Sequence, residues 1–266
     1  MIRQAQAAGQ FYPAQAAELN KMLKKLLERG GEKTKALGLV APHAGYIYSG
    51  KVAGLTFAQV ELTKTVIILG PNHTGLGAPF SIMTEGSWAT PLGNVEIDTP
   101  LAEKILSHSK LLRSDAKAHS HEHSIEVELP FLRYLSAEIK IVPITLAGAD
   151  LSAYQEIGSG LAGALEGAAK SLIIASSDMT HYESAEDAKV KDEAAIAAIL
   201  KLDGQELFRQ IEKLQITMCG YGPVITMLEA ARELGASQAR LVKYETSGEA
   251  TGDYSSVVGY AGIIVQ

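Results

Sequence analysis

Apolar runs punctuate the chain, and each stops at a proline, a glycine or a polar cluster. Leu37–Ala41 (LGLVA) ends at Pro42, and Thr65–Gly70 (TVIILG) ends at Pro71. EIKIVPITL runs into Gly148, and SLIIASSD runs into Thr180, His181 and Tyr182. Short unbroken apolar runs bounded by turn formers predict strands buried on both faces. Helical spacing fills the gaps between them. Leu19, Met22, Leu23, Leu26 and Leu27 predict an amphipathic helix ended by Gly30-Gly31. Ser49 is placed to cap a helix carrying Val52, Leu55, Phe57 and Val60, and Pro100 suits the first turn of another. Asp150 or Ser152 opens a helix through Leu161 and Leu165. Ser184 with Asp187 forms a capping box for an alanine-rich helix to about Leu202, and GQELFRQIEKL follows. Residues 80–98 read as a hairpin excursion, and ARLVKYETS with SSVVGYAGIIVQ as two last strands paired at a sheet edge. The alternation predicts an α/β fold, taken as one domain over residues 1–266.

AHSHEHSIEVELPFLRYL breaks the rhythm. His119, His121 and His123 alternate as if on one strand face, but Ile125, Leu129, Leu132 and Leu135 have helical spacing. His123 is therefore expected at a helix start, with Pro130 an awkward interior residue. His108, His119 and His121 are expected to be solvated.

Composition narrows the class. A net charge of −6 gives no support to a nucleic-acid groove or a basic membrane patch. The lone Cys219 excludes an internal disulfide and suits a reducing compartment, and no apolar stretch nears the roughly 20 residues of a membrane span. A cytoplasmic protein without a membrane segment is expected.

Chemistry collects where strands end. His43 follows the first strand, Asn72 and His73 the second, and Asp178 with His181 the SLIIASSD strand. In a parallel or mixed sheet such ends share one side, so these groups are expected to converge. Imidazoles and a carboxylate serve either a divalent transition metal or general acid–base catalysis. Cys219, flanked by glycine at a helix start, is expected to favour the thiolate, and two histidines with a thiolate suit iron, copper or zinc. Tyr46 and Tyr48 are expected to wall the cleft. No G-x-S-x-G elbow surrounds Ser177, and the glycines near Gly75 and Gly77 fit neither dinucleotide nor P-loop spacing.

Taken together, APHAGYIYSG, LGPNHTG, EHSIEVELPFL, SSDMTHY and Cys219-Gly220 resemble the Memo family, whose prokaryotic members are called AmmeMemoRadiSam system protein B. The likeness runs from GQFYP to GYAGIIV. It implies a three-layer α/β/α fold around a central mixed, largely parallel sheet, similar to class III extradiol dioxygenases. It implies metal ligation by His43, His73 and Cys219, with His123, Asp178 and His181 as polar, catalytically placed cleft residues. Iron or copper is the implied metal, redox the implied role, and an AMMECR1-like protein and a radical SAM protein the implied partners. Two alternatives stay open: a non-haem Fe(II) extradiol-type dioxygenase or related lyase, and a non-catalytic module binding a peptide or protein in the same cleft.

Overall fold

The structure is a computed structural model describing residues 1–28, 31–167 and 171–266. Gly30, expected to end the first helix, lies outside the described residues. In chain order, β1 (Ile2–Arg3) and α1 (Ala16–Leu27) lead to β2 (Gly38–Ala41) and α2 (Tyr46–Ala58). Next come β3 (Thr65–Pro71), the short strands β4 (Phe80–Ile82), β5 (Ser87–Trp88) and β6 (Val95–Ile97), then α3 (Thr99–His108) and β7 (Arg113–Ser114). A 3₁₀ turn at Glu126–Glu128 runs into α4 (Leu129–Leu135), followed by β8 (Lys140–Leu146), α5 (Leu151–Leu165), β9 (Leu172–Ser176) and β10 (His181–Glu183). The chain closes with α6 (Ala185–Leu200), α7 (Gly204–Leu214), α8 (Tyr221–Glu233), β11 (Ala239–Thr246), the short α9 (Gly248–Thr251) and β12 (Val257–Val265). Among the described residues no helix is long and apolar enough to cross a membrane.

Strands β8, β3, β9 and β2 lie side by side in parallel. β12 continues the sheet antiparallel to β2, and β11 pairs antiparallel with β12. At the other side β6 adds in parallel and β4 antiparallel to β8. The sheet is therefore mixed and largely parallel, as the family resemblance implies. Every residue of β3 is buried, which is why its sequence shows an unbroken apolar run rather than alternation.

Helices cover both faces. A Cβ on Gly38 would collide with Met227 of α8, whereas one on Gly262 would collide with Thr56 of α2. Gly38 pairs with Val265, three residues from Gly262, so the two glycines face opposite sides of the sheet. The architecture is three-layer α/β/α, with each helix layer seated at a residue that lacks a side chain.

Several local expectations need correction. Gly45, extended at φ −55° and ψ 140°, starts α2 directly, so Ser49 lies inside the helix and its hydroxyl donates to the Ala44 carbonyl. Tyr46 is a helix residue, buried to 3%, with its hydroxyl on the Val127 carbonyl; it is core, not cleft wall. Pro130 costs nothing, because the 3₁₀ turn precedes it and the proline falls in the first turn of α4, where its missing N–H has no role. His119–His123 form turns rather than a strand. His119 is fully buried, packed edge-on against Trp88, while His108 and His121 are exposed. The Ser184 cap holds as predicted, accepting from the Asp187 amide at the head of α6, and Pro100 falls in the first turn of α3, where Asp98 supplies the cap by accepting from the Leu101 amide.

Candidate metal centre

The parallel register places Ala41 opposite Ser176 and Leu69 opposite Ala175, so β2, β3 and β9 end at one edge. His43, His73 and Asp178 each stand two residues past the end of their strand. Pro42 and Gly45 confine the first turn, which leaves His43 pointing back over the sheet edge, buried to 2%. His123 arrives by another route, on the turns before the 3₁₀ segment.

The ligand-type atoms of His43, His73 and His123 all lie within 4.8 Å of one another. The rings of His73 and His123 stack at 4.7 Å, and the His43 ring stands edge-on to both at 5.3 and 5.5 Å. Two of the three Nδ1 atoms have a hydrogen-bond partner on the protein side, and the third faces a carboxylate without a hydrogen bond to it. His43 Nδ1 is 2.8 Å from Ser176 Oγ, His73 Nδ1 is 2.9 Å from Glu122 Oε1, and His123 Nδ1 is 3.6 Å from the same oxygen. Outer partners of this kind orient metal-binding imidazoles and leave Nε2 for the ion.

Electrostatics disfavour the protonated form of His43 and His123. Burial lowers the His43 pKa well below 6.5, and the neighbouring His73 and His123 push the same way. Burial, followed by His73, lowers His123. Burial works against ionisation of Glu122, but its hydrogen bond and charge interaction with His73 win and hold it down to about 2. Backbone amides of His73 and Ser124 also donate to this carboxylate. Glu122 is thus a fixed anion behind two imidazoles.

Cys219 sits half-buried just before α8, with Sγ 3.4 Å from His43 Nε2. Its expected thiolate bias is corrected: burial, and then Asp178, push the thiol pKa up, outweighing the helix terminus. Asp178 turns Oδ1 to the backbone amides of His43 and Ala44, and burial raises it to about 6 despite those bonds. His181 lines the same cleft, tethered by its backbone amide to Thr217 Oγ1 and by its ring to the Thr217 carbonyl.

The cleft holds about 360 Å³. Phe11, Tyr48 and Tyr260 supply aromatic walls, and Tyr182 stands at the rim, 78% exposed, in the left-handed region at φ 60°. A tyrosine rarely adopts that backbone conformation, and such outliers gather at functional sites.

All six residues singled out from sequence therefore lie in or beside one cleft: His43, His73, His123, Asp178 and His181 line it, and Cys219 touches His43. Sequence reasoning gave no role to Glu122, Ser176, Glu128 or Phe11. The available signal was acid at apolar positions: Glu126 and Glu128 alternate with Ile125, Val127 and Leu129, and all five residues are buried. Phe11 carried none, since its value comes from packing at a tilt 4.8 Å from the His123 ring.

Fold and site together define an α/β protein with a histidine-lined cleft at the carboxyl edge of its parallel strands, the place where open sheets of this kind bind ligands. The chain belongs to the Memo family: the family described as Memo-like protein matches residues 3–264. It is 45% identical over 285 residues to a MEMO1 family protein of Methanococcus maripaludis strain C5, covering the whole of both chains. It is also 44% identical over 265 residues to a MEMO1 family protein of Aquifex aeolicus, covering 99% of this chain and 98% of that one. Among solved structures it resembles an uncharacterized protein of Escherichia coli K12 with a TM-score of 0.58, over 85% of this chain and 98% of that one. At 15% identity that likeness speaks for the fold alone.

Proposed function

We propose that this protein holds iron or copper in the cleft and has a redox-related role. The observation that carries the reading is the convergence of His43, His73 and His123 within 4.8 Å. Cys219 adds a softer donor. An imidazole nitrogen and a thiolate sulfur sharing one tetrahedral ion stand about 3.5 Å apart, given bonds of about 2.0 and 2.3 Å. The distance from His43 Nε2 to Cys219 Sγ is 3.4 Å, so the donor pair fits. Three imidazole nitrogens and a sulfur suit iron or copper and would be wrong for calcium or magnesium. Bound there, the metal supplies one-electron chemistry, and its charge favours the Cys219 thiolate that burial otherwise disfavours.

The remaining groups have separable tasks. Glu122 orients His73 through its ring and fixes the loop through the His73 amide. Asp178, raised to about 6, exchanges a proton near neutral pH, and His181 offers a second proton-transfer group on the same wall. Phe11, Tyr48 and Tyr260 limit water and offer flat faces to a small substrate.

Anaerobic loading with Fe(II) or Cu(I), followed by metal analysis, tests the reading. Wild type should retain a single ion per chain, His43→Ala should lose it, and Cys219→Ala should bind more weakly while keeping the site. Stoichiometry unchanged in His43→Ala would refute it. The aromatic walls also favour an extradiol-type reading, for which oxygen uptake on catechols by the Fe(II)-loaded protein is the test. Silence across such a panel with metal bound counts against ring cleavage.

A further inference from the structure

Behind His43 lies a fully buried polar junction. Ser176 Oγ is 2.8 Å from each of three groups: His43 Nδ1, the Ser124 carbonyl oxygen and Glu128 Oε1. Ser176, Ser124 and Glu128 are all at 0% exposure. The other Glu128 oxygen, Oε2, has no hydrogen-bond partner among the described residues.

Counting protons settles the direction of each bond. Three contacts at hydrogen-bond distance need three protons. The Ser124 carbonyl can only accept, so the single hydroxyl proton of Ser176 must go to it. The two lone pairs of Ser176 Oγ are then left to accept from the other two groups. Glu128 Oε1 must carry a proton, and His43 Nδ1 must carry one too. An ionised Glu128 would leave two acceptors facing one hydroxyl proton, with a buried carboxylate oxygen bare as well. On the cleft side Cys219 Sγ lies 3.4 Å from His43 Nε2 and 3.7 Å from the Asp178 carbonyl oxygen, so its S–H has an acceptor in either tautomer and the junction alone decides.

We propose that Ser176, backed by Glu128 as a buried neutral acid, is the positioning residue that fixes His43 in its Nδ1–H tautomer and turns the bare Nε2 lone pair to the cleft. The tautomer assignment stands on the junction itself; its consequence for metal binding rests on the metal reading above. Because a ring nitrogen ligates only when it is unprotonated, the junction removes a tautomer change from the binding step.

Long-range ¹⁵N–¹H correlation on metal-free protein labelled at histidine nitrogen tests it, with His43→Gln assigning the signal. Wild type should show His43 protonated at Nδ1 and bare at Nε2. Ser176→Ala leaves a buried N–H with no acceptor, which costs more than a buried lone pair. The ring should then move toward Nε2–H, and Fe(II) affinity should fall about 10–100-fold. Ser176→Thr, which keeps the hydroxyl, and Glu128→Gln, a neutral donor of the same shape, should keep the wild-type tautomer. Nε2–H in wild type overturns the proposal, as does an unchanged tautomer in Ser176→Ala. If Ser176→Ala fails to fold, the wild-type tautomer and Glu128→Gln still decide. Nδ1–H in wild type without Fe(II) uptake would sustain the junction and count against the metal reading instead.

Discussion

The amino-terminal segment is held on the site by one buried carboxylate, and removing it should be costly. Glu126 forms an ion pair with Arg3, and both side chains are nearly or fully buried. Its oxygens also accept from the Gln6 amide at 2.8 and 3.0 Å, the Ala7 amide at 2.8 Å and the Tyr12 hydroxyl at 2.6 Å. Glu126→Ala strips Arg3 of its counterion and leaves these donors unmet. Breaking one side of a buried pair costs about 3–5 kcal/mol. Each orphaned donor adds about 1–3 kcal/mol if it stays dry, but the segment can peel away and rehydrate, which caps the sum near the ion-pair figure. Arg3 keeps its bonds to the His119 and Glu122 carbonyls and its stacking 4.1 Å above the Trp88 ring, so the cation remains trapped. The double variant Arg3→Leu/Glu126→Leu should therefore recover at least half of the loss. Urea unfolding is the assay: the midpoint should fall in Glu126→Ala with little change in slope. A loss below about 1 kcal/mol, or a double variant no better than the single, would refute the reasoning.

Three further outcomes follow from the geometry. Glu122→Gln removes the anion behind His73, so Fe(II) or Cu(I) affinity should fall about 10–100-fold in competition titrations while the fold persists. Burial, and then Arg3, hold the pKa of His119 down to about 4. Because the folded value lies below 6.5, this neutral ring contributes stability that is whole above about pH 6.5 and lost as pH falls toward 4. The span corresponds to about 3 kcal/mol, and His119→Gln should flatten that part of the stability–pH curve. Gly220→Ala would drive a Cβ into the Ser176 carbonyl and the Ser177 side chain, so it should destabilise by about 1–3 kcal/mol and weaken Cu(I) binding by displacing Cys219.

The legible parts of the chain were those where one local rule decides. Apolar runs closed by proline, glycine or polar residues marked β2, β3, β8 and β9, and their common parallel direction put His43, His73 and Asp178 on one edge. Capping chemistry marked α6. What stayed hidden depends on contacts far apart in sequence. Arg3 and Glu126 are 123 residues apart, and neither shows in its own neighbourhood that it meets the other. His119 read as solvated because polar loop neighbours surround it in sequence, whereas Trp88 and Arg3 bury it in space. Tyr46 read as loop because a glycine before a helix gives no side-chain cap to recognise. Cys219 carried a helix-terminus signal that was real but weaker than burial.

The central claim, a metal centre built on His43, His73 and His123 with Cys219 beside it, is tested most directly on protein isolated without oxygen or chelators. Metal analysis combined with X-ray absorption at the iron and copper edges should show one of these metals bound, surrounded by imidazole nitrogens and one sulfur. The sulfur should vanish in Cys219→Ala, and the metal in His43→Ala. Protein isolated in this way with neither iron nor copper, or metal whose surroundings are unchanged in His43→Ala, would contradict the account.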